Sequence, residues 1–176
     1  MKLNYGEFDD FLNKKVKVMA KKLLVKDKSH VPMVISVSNE GLQTLDLNRM
    51  LDEVQVLDKK YGNNAYHAGK DMMAKIIIDF VDRTKAYAYV YVSECWYMKS
   101  AKDEPIDTNV RNNPDRAEAL VLTWEYDAYG VYKSGMTMLP FYRNEDDSIL
   151  LLKEVSQDAT NKTATGRFTN ILKPLA

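Results

Sequence analysis

From Lys85 to Val155 the chain is a succession of stretches with a period of two, and this constrains the fold more than any other feature. AYAYVYVSECWYM (86–98), RAEALVLTWEYD (116–127), VYKSGMTMLPFYR (131–143) and SILLLKEV (148–155) each alternate in the way a strand places successive side chains on opposite faces. Asp127-Ala128-Tyr129-Gly130 and Asn144-Glu145-Asp146-Asp147 supply turn residues between them. Hairpin links this short bring neighbouring strands together antiparallel.

The first half has a different rhythm. Tyr5, Phe8, Leu12, Val16, Met19 and Leu23 recur every three or four positions, which predicts an amphipathic helix over Tyr5 to Val25. VPMVISV and LQTLDL, joined by Asn39-Glu40-Gly41, predict a hairpin. Leu47, Met50, Leu51, Val54, Leu57 and Tyr61 mark a second helix, which Gly62-Asn63-Asn64 should stop. Tyr66, Met73, Ile76, Ile77, Phe80 and Val81 mark a third, running to about Thr84. The tail, GRFTNILKPLA, is expected to add an edge strand ended by Pro174. Strands segregated from helices predict an α+β fold. It has an antiparallel sheet of about five to seven strands, with an N-terminal helix and two central helices packed on it, in a single domain over 1–176.

Composition narrows the setting. Lys plus Arg (25) equal Asp plus Glu (25), so net charge gives no argument for nucleic acid or a membrane surface. Cys95 is the single cysteine, which rules out an internal disulfide and fits a reducing cytoplasm. MKLNYGEFDDF has no apolar run of the secretory kind, and KIIIDFV is too short to span a bilayer. Lys14, Lys15 and Lys17 form a basic face on the first helix, read as solvated or as a polyanion site.

One polar cluster invites a functional reading. In the strand from Ala86 to Met98 the even positions are small and apolar until Glu94 and Trp96. On the next strand Arg116 and Glu118 share that parity. An antiparallel register placing Ala88 opposite Leu122 would set Glu94 against Arg116, a bidentate partner for a half-buried carboxylate. Glu94, Trp96, Arg116 and Glu118 then form either an ion-pair network anchoring the Lys99 to Asp115 loop or a pocket beneath it. On the odd face Tyr87, Tyr89 and Tyr91 make a ladder flanked by Ala119, Val121 and Thr123. That face needs a cover: a partner, the N-terminal helix or the tail.

Other chemistry is weak. Cys95 with His30 or His67 as a base has nothing to bring the groups together. Two histidines and one cysteine give no zinc spacing, and Glu125-Tyr126-Asp127 ends without the lysine a divalent-metal nuclease would use. The glycines form no phosphate loop. No metal or cofactor is expected.

SECWYM followed by NPDRAEALVL resembles a pattern of small phage and prophage proteins in which a strand ends Ser-Glu-x-Trp and the next begins Pro-x-Arg-x-Glu. Here those residues are Ser93, Glu94, Trp96, Pro114, Arg116 and Glu118. The resemblance implies a phage or prophage origin and a host-cytoplasm setting, and it carries no activity with it. The element order is also similar to profilin-like binding modules. The expectation is a non-enzymatic protein that binds other proteins or assembles with itself, as a homo-oligomer or on a host protein. The alternatives are a hydrolase or nucleic-acid-processing enzyme using Glu94, Arg116 and Glu118, and a single-stranded nucleic-acid binder using the tyrosine ladder and the lysine-rich first helix.

Overall fold

The computed structural model describes residues 2–61, 63–97, 116–159 and 171–172. The chain opens with α1 (Tyr5–Phe11), a π-helical stretch (Leu12–Val16) and α2 (Lys17–Asp27). β1 (Met33–Ser38) and β2 (Gly41–Asp46) follow, then α3 (Asn48–Tyr61) and α4 (Asn63–Arg83). The rest is β3 (Ala88–Tyr97), β4 (Ala117–Ala128), β5 (Val131–Arg143), β6 (Ile149–Leu151) and β7 (Val155–Ala159). The fold is α+β, as the segregation of periods predicts. The Lys99 to Asp115 loop and Pro114 lie outside the described residues, as does most of the tail expected to form an edge strand.

The strands form one seven-stranded antiparallel sheet in the order β2-β1-β3-β4-β5-β6, with β7 paired to β5 beside β6. Helices cover both faces. On the even face of β3 the α1–α2 rod packs Phe8, Leu12, Val16, Ala20 and Leu24 against Val90, Leu122 and Trp124. On the odd face Met73, Ile77 and Phe80 of α4 pack against Val34, Tyr89 and Tyr91.

The rod departs from the expected stripe, and the π-helical stretch gives the reason. Its buried positions fall every four residues, whereas an α-helix drifts about 40° over each such step. The wider π turn rotates the other way, keeping Phe8, Leu12 and Val16 in line. Beyond it Ala20 and Leu24 take the buried places expected of Met19 and Leu23. A capping box on Asn4 and Glu7 starts the helix (3.0 and 2.8 Å).

The β3–β4 register differs from the expected one by four residues. Ala88 faces Tyr126, Val90 faces Trp124, Val92 faces Leu122 and Glu94 faces Leu120. A slip of four keeps every side chain on its predicted face, so alternation alone cannot distinguish the two pairings. Volume does. Small Ala88 and Val90 leave room for the rings of Trp124 and Tyr126, which meet Tyr5 and Phe8 from α1 at centroid separations of 5.4–6.2 Å.

Candidate functional site

The register shift parts Glu94 from Arg116. Glu94 is instead held by Arg143 at the end of β5, with Nη2 donating to Oε2 at 2.8 Å. The same guanidinium donates from Nε to Glu118 at 2.9 Å and from Nη1 to the Lys28 carbonyl. The second oxygen of Glu94 accepts the His30 backbone N–H. Burial raises Glu94 above the usual carboxylate range, against the lowering pull of the His30 N–H and Arg143. Arg116, expected to satisfy Glu94, lies with its guanidinium 4.5 Å from the centre of the half-exposed Trp96 ring.

Of the four predicted residues, Glu94 and Glu118 therefore meet on Arg143, while Arg116 and Trp96 meet each other at the same end of the sheet. Face alternation carried the signal for Arg143: odd positions on β5 (Leu139, Phe141) share the even face of β4, and Arg143 continues them. The network fixes the α2–β1 connection, through Lys28 and His30, to the ends of three strands. Arg143→Ala is expected to cost about 2 kcal/mol, because it strands two partly buried carboxylates. Arg116→Ala should cost less, under about 1 kcal/mol, because Arg116 is exposed. Paired urea unfolding curves check the order, and equal losses would contradict it.

His30 is buried, and among the described residues neither ring nitrogen has a hydrogen-bond partner. Burial lowers its pKa, because desolvation disfavours the charged ring. Cys95 lies on the opposite face of β3 from Glu94, where burial pushes its thiol up to about 11 despite nearby Lys70. It has the character of a packing residue. The His67 side chain is outside the described residues.

The tyrosine ladder, expected to need a cover, is buried within the chain at Tyr87, Tyr89 and Tyr91. The ladder also splits. Tyr87 precedes β3 and turns into the α1 core, where its hydroxyl oxygen accepts the Leu3 N–H at 2.8 Å. Tyr89 and Tyr91 lie under α4, with Ile171 and Leu172 of the tail beside them.

That cover exposes a residue the sequence reading passed over. Glu125 is fully buried on the odd face, opposite Tyr89. Its Oε1 accepts the Tyr89 hydroxyl at 2.9 Å and the Ile171 N–H at 3.0 Å, and Oε2 accepts the Leu172 N–H at 2.8 Å. Burial, reinforced by this carboxyl group, raises Tyr89 and Tyr132 above the ordinary phenol range. The parity argument that singles out Glu94 applies equally to Glu125, once Tyr89 is set opposite it.

The basic face of the first helix is largely spent. Lys17 is buried against Glu154, Lys21 approaches the same carboxylate at 3.5 Å, and Lys14 pairs with Asp10 at 2.8 Å. Between α1 and the β1–β2 hairpin lies a groove of about 510 Å³. Leu3, Phe11, Val37, Leu42 and Tyr87 line its apolar part, and Glu7, Asp10, Lys14 and Lys15 come from the helix side. Glu7 is occupied by the capping box and Asp10 by Lys14, so the groove offers apolar contact more than acid–base chemistry.

β2 borders this groove, and among the described residues it pairs only with β1. Val37 gives its carbonyl to the Tyr87 N–H, away from β2. The Val37↔Leu42 pair is therefore a non-hydrogen-bonded one, and by alternation the backbone groups of Leu42, Thr44 and Asp46 point outward.

No family model, curated protein or solved structure matches the chain. Among the described residues no helix is long and apolar enough to cross a membrane, and no cluster of His, Cys, Asp or Glu has the makings of a metal site.

Proposed function

We propose that this chain is a non-enzymatic protein that assembles with itself by pairing the free edge of one β2 with that of a second copy. The observation that carries the reading is that, among the described residues, no strand pairs with the outer side of that edge. GLQTLD has no lysine, no proline and no bulge, the devices by which sheet edges avoid each other. Leu42 is 55% exposed beside the apolar groove. A second strand would thus find both main-chain partners and a place for its side chains, the two components of recognition by strand addition. The opposite edge is less inviting, since β6 has three residues and β7 five.

The resemblance to small phage and prophage proteins supports an accessory role in that setting. The enzymatic alternative has less support, because Glu94 and Glu118 are both engaged by Arg143 while Arg116 stacks on Trp96. A nucleic-acid role for the tyrosines has less still, since the rings are buried.

Sedimentation velocity over a dilution series tests the reading. Thr44→Pro removes an outward N–H without touching the bonds to β1 and is expected to weaken association at least roughly tenfold. Leu42→Lys should act in the same direction by placing a charge beside the groove. A wild-type chain that stays monomeric at high concentration, or variants that assemble like wild type, would refute it.

A further inference from the structure

The cleft over Glu125 has the organisation of a peptide-binding site with its ligand in place. Every contact described above between Glu125 and the tail is made to main-chain N–H groups of two consecutive residues, Ile171 and Leu172. Their side chains are 3% and 6% exposed and pack with Val34, Phe80, Tyr89 and Tyr91. This is local recognition of a short aliphatic segment by its backbone and its two side chains.

The site also requires an occupant. Among the described residues no lysine or arginine pairs with Glu125; its partners are the phenols of Tyr89 and Tyr132 and two amides. Without the segment the carboxyl group loses both amide donors, a state costlier than exposure of an apolar cleft alone. Which chain supplies the segment is not fixed by the contacts. Residues 160–170, TNKTATGRFTN, separate it from β7 and carry one large apolar residue, Phe168. Fully extended, a stretch of that length spans about 36 Å, roughly the width of a small domain.

We infer that the Glu125 cleft is a self-sufficient receptor for an Ile-Leu segment, filled here by the chain's own Ile171-Leu172 and able to take that segment from a second copy. The cleft lies on the opposite face of the sheet from the groove beside β2, so it is a contact independent of edge pairing.

The test keeps the full chain. A protease recognition sequence is inserted between Thr163 and Ala164, the chain is cut, and the nicked protein is followed by native mass spectrometry on dilution. The C-terminal fragment is expected to stay bound at micromolar concentration and to leave on dilution. A synthetic peptide of residues 170–176 should then rebind saturably. N-methylation of its Leu172, which deletes one donor without altering the protein, should weaken rebinding at least about tenfold. Glu125→Gln in the nicked chain should do the same. If the body unfolds when the fragment leaves, peptide-driven refolding supports the receptor and failure to refold overturns it. Loss of the fragment from a folded body at micromolar concentration overturns it, as does equal binding of the methylated peptide.

Discussion

Glu125→Ala is expected to lower the stability of the fold by about 4 kcal/mol, the largest effect of any single side chain considered above. The substitution removes the acceptor for the Tyr89 hydroxyl and for the N–H groups of Ile171 and Leu172, all of them buried residues. Leaving a buried donor unsatisfied costs about 1–3 kcal/mol each, and the lost side-chain volume adds a cavity beneath α4. Glu125→Gln keeps the volume and one acceptor oxygen, so it should cost about half as much. Urea unfolding of both variants checks the ranking. A loss below about 1 kcal/mol for alanine would mean that the tail contributes little to the α4 core.

Gly135→Ala is the second large effect, expected at about 3 kcal/mol, and its origin is steric. Gly135 faces Trp124 across β4 and β5. A Cβ there would lie 2.5 Å from Cζ2 and 2.7 Å from Cε2 of the indole, closer than van der Waals contact allows. The indole cannot retreat easily, because Trp124 is 3% exposed and is held between the rings of Tyr5 and Phe8. Trp124→Phe in the Gly135→Ala background should recover part of the loss, a coupling that a double-mutant cycle measures. Additive effects would show that the two positions are not in contact.

These two residues also show where sequence reading reaches its limit. Period alone places the β3 and β4 side chains on their faces, and it separates the helical half of the chain from the strand half. It leaves register open in steps of two. The four-residue difference between Glu94 opposite Arg116 and Glu94 opposite Leu120 depends on the fit of Trp124 and Tyr126 over Ala88 and Val90. Gly135 in SGMTM reads as an incidental glycine until Trp124 is placed against it. Arg143 and Glu125 are legible by parity but not by proximity in the chain. Arg143 lies 49 residues from Glu94, and Ile171 lies 46 residues from Glu125. The tyrosines are correctly read as needing cover. That the cover comes from α4 and the tail for Tyr89 and Tyr91, and from α1 for Tyr87, depends on helices occupying both faces of the sheet, a choice no local pattern makes. The first helix shows the same limit on a smaller scale: a spacing of four along Phe8, Leu12 and Val16 is compatible with an α-helical stripe, and only the π-helical stretch carries it onward to Ala20 and Leu24.

The central claim is that the β2 edge is where one copy of the chain meets another. It is tested most directly by amide hydrogen exchange at Leu42 and Thr44, followed from dilute to concentrated protein. Their N–H groups face outward in the single chain, whereas that of Gln43 faces β1. Edge pairing predicts that Leu42 and Thr44 exchange rapidly in dilute solution and become protected as concentration rises, with Gln43 protected throughout. Rapid exchange at Leu42 and Thr44 at every concentration would contradict it, most sharply in a sample that sedimentation shows to be associated.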